Sequence, residues 1–412
     1  MLREMAALLA ALAFIVFFPY KKYGNGPILM AGALIAGILA GHAPAVIADN
    51  FVAVVTTPRT LKTIFVIVQI GILGALMKHY GILDNILLAL RDLFSSSKAI
   101  IMLMPFAIGI VSVPGGAGIS SPFVDELGKT LKLPVQSRAA INLLFRHIAM
   151  FLLPTSSSMI VLSAAAPNVN LYELIGLNVL FVLISEFTAY MLYLRKTPDI
   201  RTEGSLAPLR GLWGIFRYLS PIYIIIVLNG FFHVEMYLSG LSSLLLILVC
   251  WGRRNVAEYC RVFWKGFKFK TFLMMIGIYF MQNTIRDLGA TMNFVADMFT
   301  NSSGISILLV IALSSLSLGL ISGQSYLPIG VLMPLIVSLG LPHEQELIYS
   351  FFTFVWSFIG YFYSPLHLCQ ILTLAQMECP MSRLDRLYIP QMIQMAITPF
   401  VLFALYWSIL VK

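Results

Sequence analysis

Long apolar runs, separated by short polar and basic stretches, fill this chain almost from end to end. They cover residues 5–19, 27–48, 64–77, 99–113, 139–166, 171–194, 218–232, 236–251, 272–281, 305–321, 347–375 and 389–411. A helix needs about 20 apolar residues to cross the hydrocarbon of a bilayer. The pattern therefore predicts an all-α polytopic membrane protein, in which the shorter runs extend into flanking polar residues or stop short of crossing. Residues 2–18 carry Arg3 near their start and no small-residue cleavage site behind them, so they are expected to form the first membrane helix.

The runs are interrupted in matching places of two halves. The first half breaks at Val113-Pro114-Gly115-Gly116-Ala117 and again at Leu153-Pro154-Thr155-Ser156-Ser157-Ser158. The second breaks at Ser322-Gly323-Gln324-Ser325 and at Tyr363-Ser364-Pro365-Leu366-His367. Lys62 and Lys270, Gly81 and Gly289, Pro134 and Pro342, and Pro154 and Pro365 each stand about 210 positions apart, the mark of two copies of one unit. The units are expected at residues 1–194 and 218–412, joined by a cytoplasmic linker at 195–217. Each is expected to hold five transmembrane helices, a re-entrant hairpin (about 99–131 and 305–340) and a broken helix (about 139–166 and 347–377). Lys98 and Lys129 fall on the same side with too few residues between them for two full crossings of about 20 each. For the second hairpin, two short crossings are the alternative. An odd number of crossings inverts the second unit relative to the first.

Composition agrees with the pattern. Of 412 residues, 59% are hydrophobic and 11% charged, and mean hydropathy is +0.90; soluble domains carry roughly 45–50% apolar and about 25% charged residues. The net charge of +9 follows from topology. With the N-terminus outside, most of the 27 lysines and arginines fall in inner loops. Arg3, Arg59, Lys62, Arg286 and Lys412 fall outside, and Arg146 within a span. This places the chain in the cytoplasmic (inner) membrane as a multi-pass protein and leaves no charge that calls for nucleic acid. Residues 256–269 mix basic and aromatic side chains as an interfacial amphipathic helix does, with residues 82–94 as its candidate partner in the first unit. Cys250, Cys260, Cys369 and Cys379 show no Cys-x-x-Cys spacing and no adjacent His pair, so buried free thiols are expected, with no metal and no cofactor. No phosphate-binding loop of Walker type is present, which argues against ATP hydrolysis.

The breaks carry the candidate chemistry. A half-helix starting at membrane depth exposes unpaired N–H groups and a partial positive charge, and irregular backbone there must face protein or a water-filled cavity. Pro114, Gly115, Gly116 and Ala117 form the first tip, with Ser120 and Ser121 just beyond it. Thr155, Ser156, Ser157 and Ser158 offer hydroxyls at the first broken helix. Ser322, Gly323, Gln324, Ser325 and Tyr326 are the counterparts at the second tip, and Ser364, His367 and Gln370 those at the second broken helix. Asn142 is a candidate lining residue one turn before Arg146. A charge at depth is costly and usually functional, so Arg146 is a candidate binding residue; snorkelling or a structural pair with Glu186 are the alternatives. Glu186, Asp125, Glu126 and His147 are candidates for a coupling ion or proton. Against these stand a structural role for Glu186, plain solvation for Asp125 and Glu126, and hydrogen-bonded packing for His147 and His367.

Pro114-Gly115-Gly116-Ala117, Ser121-Pro122 with Asp125-Glu126, Phe145-Arg146-His147-Ile148 and Ser364-Pro365-Leu366-His367-Leu368-Cys369 together resemble a prokaryotic family of integral membrane proteins, domain of unknown function 401, in the ion transporter superfamily. The resemblance spans about residues 60–411. It implies two inverted repeats, each with a re-entrant hairpin and a broken helix, working by an elevator motion. It also implies movement of small anions coupled to protons or sodium. The Ser-Asn-Thr signature of dicarboxylate transporters is absent; Pro114 to Ala117 and Thr155 to Ser158 occupy the analogous places.

The expected function is that of a secondary active transporter of a small anionic organic solute, and not of an enzyme. Its partners would be that anion, a coupling proton or sodium ion and membrane lipid, and a homodimer is compatible with the architecture. A lipid-anion flippase or exporter on the same scaffold is the main alternative. An intramembrane enzyme would need His147, His367 and Asp125 or Glu126 within hydrogen-bond reach of one another, and a passive channel suits closed hairpin tips poorly.

Overall fold

A computed structural model describes residues 2–17, 25–110, 117–200, 207–290, 293, 304–364 and 367–411, and these are helical with no strand among them. The first tip (Pro114, Gly115 and Gly116) and Pro365 and Leu366 lie outside the described residues. In chain order the helices are α1 (Leu2–Phe17), α2 (Asn25–Ala40), α3 (Pro44–Thr56), α4 (Pro58–His79), α5 (Ile82–Leu93), α6 (Ser97–Gly109) and α7 (Ala117–Thr130). There follow α8 (Val135–His147), α9 (Ala149–Leu152), α10 (Ser157–Ala165) and α11 (Leu171–Tyr193). Then come α12 (Pro208–Tyr218), α13 (Ser220–Gly230), α14 (Met236–Ile247), α15 (Val256–Gly266) and α16 (Phe269–Arg286). The chain closes with α17 (Gly304–Ser322), α18 (Tyr326–Val337), α19 (His343–Phe362), α20 (Leu368–Met377) and α21 (Met381–Leu410).

Among the described residues, Thr60–His79, Val135–Ala165, Leu171–Tyr193 and Met381–Leu410 are long and apolar enough to cross a membrane alone. The pair α12 and α13, bent by 62°, makes a fifth candidate. The expected five long crossings per unit are thus not all visible as single helices. Proline and glycine divide the remaining apolar sequence into shorter pieces, Pro44 and Pro58 opening α3 and α4 at their first helical positions. The first expected hairpin consists of α6 and α7, of 13 and 14 residues. At 1.5 Å per residue each reaches roughly 20 Å, short of the roughly 30 Å hydrocarbon thickness. Ser96 starts α6 by accepting the Ala99 N–H at 3.1 Å, a cap that satisfies one orphan donor.

Two apolar cores hold the molecule. The larger gathers the hairpin limbs, both broken helices, α11, α16 and α21 around Phe151, Phe351, Phe354 and Phe362. The second joins α4, α5 and α6 to α13, α14 and α15 through Leu76, Met77, Ile82, Ile225, Ile247 and Val262. The amphipathic helix read at 256–269 is α15; Asn255 caps it by accepting the Glu258 N–H at 3.0 Å, and it packs on α4. Its expected counterpart α5 instead packs on α12. Gly211 and Gly214 lack the side chains that would strike Ala89 and Leu93 there.

Element order recurs along the chain. With α5 and the four-residue α9 left aside, the series α4, α6, α7, α8, α10, α11 is followed by the series α16, α17, α18, α19, α20, α21. A shared detail accompanies the order. Gly109 of α6 sits where a side chain would collide with the backbone carbonyl of Arg146 on α8, and Gly319 of α17 presses on the backbone of Gly360 and Tyr361 on α19. In each half the ingoing limb therefore meets the broken helix backbone to backbone.

Gly109→Ala is expected to destabilise by about 1–3 kcal/mol through overpacking, read as a lower unfolding temperature of the purified protein. Gly176→Ala, with open space around its Cα, should leave that temperature unchanged. A second expectation concerns the starts of α19 and α11, where His343 Nε2 and Glu173 Oε2 lie 2.7 Å apart. The hydrogen bond that His343 donates to Glu173 holds the His343 pKa above its ordinary value, which is about 6.5. Stabilisation from this pair is full below that value and lost as pH rises through the raised one. Both groups are half exposed, so the effect is small. Unfolding temperatures across this window should fall in the native protein relative to His343→Ala.

Candidate functional site

The two helix breaks meet inside the larger core. Helix α8 ends at His147 after a fully buried last turn, Leu143 to His147, and a hitch at Ile148 leads into the four-residue α9. The helix stops after Leu152, a turn from the Leu153 carbonyl to the Ser156 N–H at 3.1 Å bridges Pro154 and Thr155, and Ser156 caps α10 by accepting the Met159 N–H at 3.3 Å. In the second half α19 ends at Phe362 and α20 starts after His367. Pro154 removes a backbone donor and obstructs the preceding turn, which is why the first broken helix stops at Leu152.

Across the break the two halves touch through buried polar groups. The His147 and His367 Nε2 atoms lie 3.1 Å apart, with Tyr361 Oη 3.1 Å from His147 Nε2. Cys369 is buried beside them, and the ligating atoms of His147, His367 and Cys369 fall within 4.8 Å of one another. Ser158 and Ser325 share a hydrogen bond of 2.7 Å, joining the start of α10 to the second hairpin tip. Asn142 Nδ2 donates to the Ala117 carbonyl at 3.3 Å and to Thr373 Oγ1 at 2.9 Å, tying the start of α7 to α20. The packing is reciprocal. Helix α10 lies on α18, the outgoing limb of the second hairpin, and α20 lies on α7, the outgoing limb of the first.

The second tip is a tight turn. Gly323 adopts φ +64°, a conformation most side chains avoid, and Ser322 Oγ accepts the Gln324 N–H at 3.2 Å. Ser364, fully buried, donates to the Leu320 carbonyl and fixes the second break against α17. On the mutually packed helices α8, α7 and α20, the side-chain oxygens Asn142 Oδ1, Ser121 Oγ and Gln370 Oε1 are buried without a hydrogen-bond partner among the described residues. Leaving such groups unmet costs about 1–3 kcal/mol each, so the facing segments of α7, α8 and α20 hold spare capacity for a polar ligand. Thr155 opens instead onto a crevice between the two cores, lined by Ile70, Leu73 and Ile225.

Other expected residues stand elsewhere. Asp125 is engaged by Arg138 at 2.6 Å and Lys129 at 2.5 Å, and Glu126 is exposed. Arg146 is buried, and no ion pair among the described residues joins it to Glu186. Glu186 lines an apolar crevice with Leu144, Phe181, Phe358 and Met395. The tip residues Pro114, Gly115 and Gly116 are outside the described residues, while Ala117 and Ser120 are buried at the start of α7. Cys369 and Thr373 are the residues that reading the sequence passed over. Cys369 stands two positions from His367 and Thr373 one turn further on, a spacing that puts Cys369 and Thr373 on one face of α20.

No curated protein matches the chain in sequence. Among solved structures, the crystal structure of the Alcanivorax borkumensis YdaH transporter, described as having an unusual topology, superposes with a TM-score of 0.58 at 13% identity. The match covers 88% of this chain and 87% of that one, a likeness of fold. The model of the family described as "Protein of unknown function (DUF401)" matches residues 6–405, and the chain, an all-α membrane protein, belongs to that family.

Proposed function

We propose that the protein is a secondary active transporter that moves a small anionic organic solute across the cytoplasmic membrane by alternating access, coupled to protons or sodium. The observation that carries this reading is the hydrogen bond between Ser158 and Ser325. It brings together the starts of α10 and α18, two helix N-termini whose partial positive charges favour an anion. Discontinuous helices whose ends converge in this way are a recurring design of transporter binding sites, and the fold likeness to the YdaH transporter points the same way. Asn142, Ser121 and Gln370 supply unmet polar atoms beside the N-terminus of α7.

In this proposal the two units are inverted, the N-terminus is outside and the motion is of elevator type. The larger core, with its hairpins and broken helices, would slide against the smaller one along the crevice at Thr155. The solute would sit among Gly115, Gly116, Ser121, Asn142, Arg146 and the hydroxyls of both breaks. Arg146 supplies the positive charge.

Arg146→Ala is expected to reduce uptake of small organic acids into proteoliposomes by at least about tenfold, the loss of one charge-assisted contact of roughly 1.5–3 kcal/mol. A monodisperse gel-filtration profile would accompany this result. Unchanged uptake kinetics would remove Arg146 from the site. The sliding motion has its own test. In a Cys250→Ser/Cys260→Ser background, a thiol reagent should label Thr155→Cys at a rate that changes when a transported acid or an ion gradient is applied. Labelling that stays constant under transport conditions would reject movement at this crevice.

A further inference from the structure

The pairing of His147 with His367 is not a simple hydrogen bond between neutral rings. His147 Nδ1 lies 2.6 Å from the Leu143 carbonyl, and His367 Nδ1 lies 3.2 Å from the Phe362 carbonyl. A carbonyl oxygen only accepts, so each Nδ1 carries the hydrogen, and each neutral ring then presents a bare lone pair at Nε2. Those two lone pairs face one another at 3.1 Å. The Tyr361 hydroxyl, 3.1 Å from His147 Nε2, can donate only one hydrogen between them. The Cys369 thiol beside the rings is the other donor, and an electropositive ion in place of its proton meets both lone pairs at once.

The surroundings select what that ion is. Metal-bound imidazoles regularly donate their second N–H to a backbone carbonyl, which fixes the tautomer and aims the free nitrogen; both rings do so here. Two Zn–N bonds of about 2.0–2.1 Å at a tetrahedral angle put their nitrogens roughly 3.3 Å apart, close to the observed spacing. The third group is the Cys369 thiol, with all three ligating atoms within 4.8 Å of one another and all three residues buried. Helices α8 and α19 both end here, at His147 and Phe362, and their C-terminal carbonyl ends favour a cation, offset in part by the start of α20 behind His367.

We infer that His147, His367 and Cys369 form a binding site for a zinc-class transition-metal ion, coordinated through two Nε2 atoms and one Sγ. Nitrogen and sulfur ligands without a carboxylate select zinc and its neighbours over magnesium or calcium. Three protein ligands leave a fourth position that Tyr361 or water completes. Binding releases the thiol proton and leaves the ion with one net positive charge, spread over a staple between α8 of the first half and α20 of the second.

The test is titration of the purified full-length protein with cobalt(II), which reports a thiolate ligand by a charge-transfer band in the near ultraviolet, followed by competition with zinc. The native protein should show the band at a single equivalent and lose it as zinc displaces cobalt. Cys369→Ser, a near-isosteric change, should abolish the band and weaken zinc binding at least about tenfold. The His147→Ala/His367→Ala double variant should bind neither ion. Cys379→Ser, which removes the other buried thiol, should leave the band intact. The site is overturned if the native protein binds neither ion, as it would if a shared proton sits between the rings. It is equally overturned if the band survives Cys369→Ser, if it disappears in Cys379→Ser, or if the double histidine variant keeps native affinity. Because the readout is metal binding alone, the outcome is independent of whether any acid is transported.

Discussion

Unpaired backbone in a low-dielectric interior is the constraint on which this structure turns. Water is absent from the hydrocarbon, so every N–H and carbonyl freed by a helix break must find a partner within the protein. The breaks after Leu152 and after Phe362 free such groups in both halves, and the fold answers by bringing the interruptions together. Ser156 takes the Met159 N–H at the start of α10, Asn142 takes up the Ala117 carbonyl at the start of α7, and Ser364 holds the Leu320 carbonyl. Once these pairings are required, the hairpins have little choice but to lie against the broken helices.

Each of those hydrogen bonds lies within one half, whereas the helix packing at the breaks crosses between halves. Helix α10 docks on α18 and α20 on α7, so neither half completes its own interrupted segment. Two copies of a unit that each lack a partner can satisfy one another in this crosswise fashion, and the large aromatic core around Phe351, Phe352 and Phe354 then excludes water from the junction. Burial on this scale makes any polar group left unmet, such as Gln370 Oε1, conspicuous.

Much of the architecture was legible because the membrane imposes simple rules on the sequence. Residues 171–194 and 389–411 announced α11 and α21 by length and hydropathy alone, and Ser322-Gly323-Gln324-Ser325 announced its turn. Crossings built from shorter pieces were harder to read. Apolar residues are required on every side of a helix such as α2, so no periodicity marks where it yields to α3. The amphipathic segment at 82–94 was visible by pattern, yet its packing on α12 depends on Gly211 and Gly214, more than a hundred residues away. At the site, Ser158, Ser325, Asn142 and His367 could be picked out as polar residues near breaks. Cys369 could not, because the ring that completes its surroundings, His147, is 220 positions from His367, and linear spacing carries no trace of that proximity.

The bare crossings at Gly109 and Gly319 carry one more consequence. With main chain resting directly on main chain, α6 against α8 and α17 against α19, no side-chain rotamer can act as a pivot between the members of each pair. Each pair is therefore held at a fixed separation that side-chain repacking cannot change.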